Sequence, residues 1–257
     1  MIIDTHTHLD GPEFKDDIQE VVQRAKSAGV SKVFIPAIDL SSIKSINTVC
    51  QQFPDFAYPM MGLHPEEVKA NYKEVLQKMK NELLANSKYI AVGEVGLDFY
   101  WCREFEKEQL EAFEEQVKWS VETRLPLMIH CRKAQNEMVK ILRKYQKQLP
   151  GGVFHCFTGN EKEAAELLSF NNFVLGIGGV LTFKKANLPE TLKSVPLQRI
   201  VLETDSPYMA PVPLRGKRNE SSFLVHVVAK LAEVYNTTED GIALQTNKNV
   251  ERIFGFC

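Results

Sequence analysis

Short apolar segments with strand character alternate with amphipathic helical segments along the whole chain. The predicted strands start at Ile2 and recur at Ser31–Ile38, Phe56–Leu63, Tyr89–Val95, Leu125–His130, Gly152–Phe157, Phe173–Ile177 and Arg199–Glu203. Strands that are apolar on consecutive residues are typical of parallel sheets buried on both faces. Eight such strands separated by helices predict an α/β protein with a (β/α)8 fold, the TIM barrel.

The intervals between the predicted strands carry apolar residues at helical spacing, without a Gly/Ser-rich linker, repeat or charge block. The predicted helices are Glu13–Ala28, Ser41 or Ser42 to Gln52, Glu66–Ala85, Glu104–Thr123, Ala134–Lys147, Glu161–Phe170, Pro189–Ser194, Ser221–Tyr235 and Thr238–Phe254. We therefore expect a single domain over residues 1–257. The alternative is an open doubly wound sheet, which often carries a phosphate-binding glycine loop after its first strand. The segment DTHTH stands there instead.

Composition limits the partners and the location that are expected. The net charge of -2 and the pI near 6.3 argue against a protein that wraps duplex nucleic acid by bulk charge. The five cysteines are odd in number and form no CxxC pair, which fits a reducing cytoplasm. No signal peptide is visible, and no apolar run reaches the roughly 18 residues of a membrane span. We expect a cytoplasmic protein without a membrane association or an obligatory protein partner.

Two histidines one residue apart, His6 and His8, stand where the first strand ends. Side chains alternate faces along a strand, so both imidazoles point the same way and form half of a metal site. The simple alternative is a pair of solvated histidines, and further ligands at equivalent places decide against it. Active sites of TIM barrels lie at the carboxyl ends of the strands. The polar residues predicted there are His6, His8, His64, Glu94, Asp98, His130, His155, Glu203 and Asp205.

Five of the six histidines thus fall at one rim, whereas His226 lies in a predicted helix and is expected to be structural. Imidazole with carboxylate suits zinc, manganese or another divalent ion; magnesium prefers more oxygen, and the identity stays open. The predicted metal ligands are His6, His8, Glu94, His130, His155 and Asp205. Six ligands are too many for one tetrahedral ion and suit two divalent metal ions. We predict one ion on His6, His8, Glu94 and Asp205, and a second on Glu94, His130 and His155, with Glu94 as the bridge.

The carboxylates after the eighth strand are predicted to serve the same centre. Two ions ~3.5–4 Å apart lower the pKa of a shared water and clamp a phosphoryl or acyl oxygen. Asp205 can accept the proton of that water, so Glu94 and Asp205 are the predicted catalytic residues. Glu203 points into the barrel if the strand continues that far. It is either an acceptor for a ligand histidine or a packed barrel carboxylate, and the sequence leaves both interpretations open.

Substrate contacts are predicted in the loops that follow the strands. The candidate phosphate-binding residues are Arg132, Arg215, Lys217 and Arg218, which otherwise form a solvated basic surface. The aromatic residues Phe99, Tyr100 and Trp101 either stack on a base or sugar or form a lid over the barrel mouth. The glycine run at 176–179 is interpreted only as backbone turns.

The ordered motifs DTHTHLD, GLHP, GEVGLDFY, IHCR, HCFTG and ETDSPY resemble those of the TatD-type metal-dependent deoxyribonucleases of the amidohydrolase superfamily. The similarity runs from Ile2 to Phe254. It implies a TIM-barrel hydrolase with a divalent metal centre that cuts phosphodiester bonds of DNA, from the 3′ end of single strands. The family's ligands fall on the six predicted above, and its GxHP histidine, with a substrate-binding role, falls on His64. Lys133, where an acid is common, and Ser221, where proline is usual, leave the shape of the substrate groove open.

Two other functions stay open at this point. One is hydrolysis of an amide or ester bond on the same frame, for example by an aminoacyl-tRNA deacylase. The other is a metal-bound interaction protein without turnover. Because the fourth strand ends with Glu94 and offers no lysine for carboxylation, the nuclease branch is favoured. The intact ligand set argues against the loss of turnover.

Overall fold

A computed structural model describes residues 1–101 and 103–255, in which eight strands alternate with helices. The strands are β1 (Ile2–Asp4), β2 (Val30–Pro36), β3 (Ala57–Met60), β4 (Val92–Asp98), β5 (Leu127–Arg132), β6 (Gly152–Phe154), β7 (Phe173–Ile177) and β8 (Ile200–Leu202). The α-helices are α1 (Ile18–Ser27), α2 (Ser42–Gln52), α3 (Tyr72–Ala85), α4 (Glu106–Thr123), α5 (Gln135–Tyr145), α6 (Glu161–Leu167), α7 (Leu188–Leu192), α8 (Leu224–Tyr235) and α9 (Glu239–Phe254). Cys102 and Cys257 lie outside the described residues. None of the described helices combines the length and the apolarity that crossing a membrane requires.

The strands pair in sequence order, all parallel, and close into the predicted (β/α)8 barrel, which is confirmed. β1 to β3 form one set and β4 to β8 form another. Isolated bridges join the two sets, Met61 with Val92 on one side and Thr7 with Ser206 on the other. All the carboxyl ends therefore meet at one rim.

The barrel interior is filled by an apolar cluster to which every strand region contributes one side chain. These residues are Ile3, Phe34, Met60, Ala91, Met128, Val153, Val174 and Val201. Val250, Ile253 and Phe254 of α9 pack against the same cluster. The side chain of Asn249 on α9 donates to the carbonyl of Ile200, at the start of β8. Within the described residues, helix α9 thus closes the amino-terminal end of the barrel, and the carboxyl-terminal mouth stays open.

Some predicted boundaries are wrong where proline or polar residues begin a turn. The helix predicted from Glu66 is a 3-10 turn, Pro65–Glu67, which the His64 side chain caps, followed by α3. The helix predicted from Glu13 likewise opens with the turn Pro12–Phe14 before α1. The fourth strand starts and ends later than predicted, so that Asp98 lies on the strand.

A register irregularity in β4 turns Glu94 into the barrel. Ala91 lies in the inner cluster, so strict alternation would point Gly93 and Val95 inward and Glu94 outward. The pairing with β5 shifts between Val92 and Val95, and Val95 packs in the outer core between sheet and helices. Such an irregularity re-aims a side chain. The Glu94 residue is consequently 2% exposed and surrounded by histidines.

Candidate metal centre

The closure of the barrel brings the end of β1 beside the residues that follow β8. The hydroxyl groups of Thr7 and Ser206 are 2.6 Å apart across the bridge that joins these segments. The backbone N–H of Asp205 donates to the carbonyl of His6 at 2.9 Å. Asp205 has a φ of 55°, a left-handed conformation that Asp tolerates better than most residues. The predicted ligands His6, His8 and Asp205 therefore lie side by side.

His130 and His155 reach the same pocket from the other strands. Met128 on β5 and Val153 on β6 belong to the inner cluster, and the two histidines follow them by two residues each. Side chains two residues apart share a face of a strand. Both imidazoles accordingly continue the inward-facing rows toward the mouth.

Four electron-pair donors surround one point on the β1 side of the pocket. His6 Nε2 lies 3.2 Å from Glu94 Oε2 and 3.7 Å from Asp205 Oδ1. His8 Nε2 lies 3.7 Å and 3.6 Å from the same two oxygens. The two ring nitrogens are 3.4 Å apart, and their lone pairs repel unless a cation or a proton lies between them. Two imidazoles with two carboxylate oxygens fit a divalent first-row ion.

The second oxygen of Glu94 faces three further imidazoles, one of which, His155, stacks on His6 with ring centres 3.9 Å apart. Among the described residues the possible ligands form three overlapping groups: His6 with His8 and Asp205, His6 with Glu94 and His155, and His64 with Glu94 and His130. Glu94 Oε1 lies 3.0 Å from His130 Nδ1, 3.1 Å from His155 Nε2 and 3.3 Å from His64 Nε2. The carboxylate thus offers Oε2 to His6 and His8 and Oε1 to the three further imidazoles, as the predicted bridge requires. Its burial raises the pKa of Glu94, but the nearby His64, His6 and His155 outweigh burial and hold that pKa well below 4.5. Glu94 is therefore anionic at neutral pH.

Asp98 orients His130, a role that the sequence did not assign. Its Oδ2 lies 3.0 Å from His130 Nε2, and its other oxygen accepts the N–H groups of Tyr100 and Trp101. With the Nε2 proton donated to Asp98, His130 turns Nδ1 toward Glu94, and Nδ1 becomes a ligand atom once a metal ion displaces its proton. Carboxylates in this position fix the tautomer of metal-binding histidines. The signal in the sequence was an acid at a strand end, which the predicted boundary placed in a loop.

His64 differs from His130 in which ring nitrogen faces Glu94 and in which nitrogen accepts a hydrogen bond. Its Nδ1 accepts the backbone N–H of Glu66 at 3.2 Å, as the cap of the turn after β3. A neutral imidazole that accepts at Nδ1 carries its proton on Nε2. The nitrogen that faces Glu94 is therefore a hydrogen-bond donor. Although His64 also lies in a group of possible metal ligands with Glu94 and His130, this pattern suits contact with an anionic substrate oxygen better than metal ligation, and the substrate-binding role stays a prediction.

Glu203 lies beside His155 inside the barrel. Its Oε1 accepts the backbone N–H of Cys156 and lies 3.5 Å from His155 Nδ1, while Oε2 has no partner within the described residues. Burial lowers the pKa of His155, but Glu94 and Glu203 outweigh burial and raise that pKa well above 6.5. Of the two roles left open by the sequence, this position favours an acceptor that orients a ligand histidine.

Gly176 makes room for that carboxylate, so the glycine run does more than form turns. A Cβ at Gly176 would lie 2.1 Å from Glu203 Oε2. We expect Gly176→Ala to displace Glu203 from His155 and weaken metal binding about 10- to 100-fold, the usual effect of losing such a partner. Isothermal titration with zinc measures it. Gly241→Ala on α9 is the matched control, and equal affinities in the two variants would remove Glu203 from the site.

The predicted phosphate-binding arginines differ in their surroundings. Arg218 is held by two hydrogen bonds to Asp17, at 2.7 and 2.6 Å, and by the carbonyl of Glu13. It anchors the loop after β8 to α1, and we do not carry it into the proposed substrate site. Arg132 and Arg215 are exposed, and no described carboxylate pairs with either. These two remain available to a phosphate.

Asp4 is a buried acid that joins β1 to the segment after β8, a role that was not predicted from the sequence. One oxygen accepts the N–H of Thr204 at 2.9 Å, and the other accepts the hydroxyls of Thr204 and Ser221, both at 2.7 Å. Burial raises its pKa to about 7 against these hydrogen bonds. The contacts tie β1 to the segment after β8 and so fix His6 relative to Asp205. An acid inside the apolar run IID was the available signal.

Comparisons with known proteins cover nearly the whole chain. Residues 3–255 match the family described as TatD related DNase. The "Uncharacterized metal-dependent hydrolase YabD" of Bacillus subtilis (strain 168) is 37% identical over 255 residues, which are 99% of either chain. The "3'-5' ssDNA/RNA exonuclease TatD" of Pectobacterium atrosepticum is 30% identical over 259 residues, 98% of this chain and 99% of that one. The crystal structure of YJJV, a TatD homolog from Escherichia coli K12, superposes with a TM-score of 0.92 at 28% identity and covers 100% of this chain and 98% of its own.

Proposed function

The chain belongs to the TatD-related DNase family and is a metal-dependent hydrolase, and we propose that it hydrolyses phosphodiester bonds of DNA from the 3′ end of single strands. The proposal rests on the position of Glu94. Its two oxygens face two groups of imidazoles, which is the arrangement of a bridging carboxylate in a centre for two divalent metal ions. The name of the Pectobacterium relative supplies the substrate and the direction.

The proposed ligands are His6, His8, Glu94, His130, His155 and Asp205. Divalent ions bound there would supply a water of lowered pKa and positive charge for the phosphate oxygens. The residues of the chain account for the remaining chemistry. Asp205, whose side chain is 17% exposed at the mouth, accepts the proton of the attacking water. The Nε2–H group of His64 donates a hydrogen bond to a phosphate oxygen. Arg132 and Arg215 offer guanidinium groups to neighbouring phosphates.

A labelled single-stranded oligonucleotide tests this function directly. We expect manganese- or zinc-loaded protein to shorten a 5′-labelled strand stepwise and to stop when a chelator is added. A 3′-blocked strand is the control for direction and should resist. If no strand is shortened under any metal while an amide or ester panel is turned over, the enzyme hydrolyses a different bond on the same frame.

Metal affinity should rise with pH, because protons and metal compete for the same nitrogens. Burial lowers the pKa of His130, but hydrogen bonds to Asp98 and Glu94 raise it to about 9. The pKa of His155 is likewise raised. A ring whose pKa is raised carries a proton that the metal ion must displace, so binding releases protons and metal affinity increases about tenfold per pH unit for each proton. Calorimetric metal titrations between pH 6.5 and 9, in buffers of different ionisation enthalpy, measure the metal affinity and the number of protons released. A constant affinity without proton release contradicts the assignment.

We further propose one domain over residues 1–257 and a cytoplasmic location. In support of the first, one apolar core connects residues from Ile2 to Ala243. In support of the second, Cys50, Cys131 and Cys156 are free thiols, as expected in a reducing compartment. No obligatory protein partner is proposed, and the size of the purified protein in solution tests this.

A further inference from the structure

Exposed apolar side chains concentrate at the barrel mouth. Five of the eight large hydrophobic residues exposed in the described part of the chain lie in the loops after β4 and β8: Tyr100, Trp101, Tyr208, Met209 and Val212. The largest of them, Trp101, is 63% exposed, and Tyr100 beside it is 52% exposed. Exposed aromatic residues grouped around a catalytic mouth mark a binding surface.

Arg132 joins these two aromatic residues. Its guanidinium carbon lies 3.9 Å from the centre of the Tyr100 ring and 5.0 Å from that of Trp101. The two rings meet edge to face at 5.0 Å. No described carboxylate pairs with Arg132, so its N–H groups are available to a ligand anion. The three side chains form what we call the aromatic–arginine platform.

The neighbouring aromatic residue and arginine of the same loop behave differently. Phe99 is 7% exposed and packs in the core. Arg103 lies over the Phe99 ring at 5.3 Å, and its guanidinium donates to Glu106 at 2.8 Å. The Arg103 side chain is 65% exposed, but its guanidinium is already paired with Glu106, so stacking of arginine on an aromatic ring does not by itself leave a free cation here. Arg132 differs from Arg103 because no described carboxylate pairs with it.

Asp98 fixes the platform to the metal centre. One of its oxygens accepts the backbone N–H groups of Tyr100 and Trp101 at 2.8 and 3.2 Å. The other contacts His130, and Arg132 follows that histidine by two residues on β5. Two residues of a strand span about 7 Å. A group stacked on the platform would therefore lie close to the phosphate held at the centre.

A small cavity adjoins the platform at Trp101. Its volume is about 240 Å³, and it is lined by apolar and polar residues: Pro65, Glu66, Val68, Lys69, Asp98, Trp101, Glu104, Phe105 and Gln109. The apolar members suit the flat face of an aromatic ligand, and the acidic members suit the amino groups at the edge of a base. A nucleobase has both a π-face and polar edges. A terminal base pair exposes one face but carries its partner base with it, so only an unpaired base can occupy a site that holds a single ring.

We propose that Tyr100, Trp101 and Arg132 form a stacking site for one unpaired nucleobase beside the cleaved phosphate, so that the platform selects single-stranded over paired ends. The proposal rests on the nuclease function proposed above. Stacking on aromatic side chains tolerates any base and commonly changes affinity about tenfold or more. The positive charge of Arg132 holds the phosphate that adjoins the stacked base.

Tryptophan fluorescence tests the site without relying on turnover. The chain has two tryptophans, and Trp119 is buried at 1% exposure, so a ligand at the mouth should alter the emission of Trp101. We expect a phosphorothioate single strand to quench metal-loaded protein. A blunt duplex of the same sequence, and a strand of equal charge with abasic 3′ residues, should need at least tenfold higher concentrations. Trp101→Leu should remove the quenching.

A matched pair of arginine variants separates the platform from general charge. We expect Arg132→Gln to weaken single-strand binding about tenfold and Arg103→Gln to leave it unchanged. If single strands are cleaved but abasic and normal strands quench equally, or neither quenches, the stacking site is overturned while the nuclease function stands. If no strand is cleaved, the nuclease function fails and the base site fails with it.

Discussion

We expect Glu94→Gln to abolish hydrolysis, with kcat/KM lowered by about 10⁴-fold or more and metal lost at both positions. The substitution keeps the size of the side chain but replaces one oxygen with an amide nitrogen. That N–H group must face one of the two imidazole groups, which lie 3.0 to 3.3 Å from Oε1 and 3.2 to 3.7 Å from Oε2. Steady-state kinetics on a single strand and metal analysis of the purified variant measure the two effects.

The matched control is Glu251→Gln, an exposed acid on α9 at the closed end of the barrel. It should keep the activity and the metal content of the parent. Circular dichroism establishes that both variants are folded, because Glu94 is also the buried acceptor for several imidazoles. A folded Glu94→Gln protein with full metal content and activity within tenfold would refute the bridging role.

We expect Asp205→Asn to lower kcat by about 10³-fold, even at metal concentrations that saturate the metal sites of the variant. The amide keeps an oxygen toward His6 and His8, whose Nε2 atoms lie 3.7 and 3.6 Å from Asp205 Oδ1. It can no longer accept a proton from the attacking water. We therefore expect the loss in kcat at saturating metal and strand, with a smaller change in KM.

Asp240→Asn, in the exposed first turn of α9, makes the same chemical change far from the mouth. It should have the same kcat and KM as the parent protein. If Asp205→Asn regains full kcat once metal is saturating, Asp205 serves only as a ligand, and the proton acceptor is another group.

The existence and order of the strands and the convergence of the ligands were predictable from the sequence. Periodicity placed His130 and His155 at the ends of buried strands, and barrel topology requires such ends to meet. The inner cluster confirms the rule, since Met128 and Val153 precede these histidines on the same inward face. The assignment of individual side chains to one metal or the other stays a prediction.

The details that determine ligand chemistry were not predictable, because they depend on backbone irregularities and on hydrogen bonds between distant residues. The irregularity in β4 reverses the side-chain alternation and turns Glu94 inward. The tautomer of His64 follows from a backbone N–H two residues away, and that of His130 follows from Asp98 on another strand. The pairing of Arg218 with Asp17 removes a predicted substrate contact through a residue about 200 positions away in the chain.

Anomalous diffraction from crystals of the metal-loaded protein, recorded at the absorption edge of the metal, shows whether two ions share the Glu94 carboxylate. We predict two peaks on either side of the Glu94 carboxylate, one within ligand distance of His6, His8 and Asp205, the other of His130 and His155. A single peak, or peaks that do not contact Glu94, would contradict the dinuclear centre.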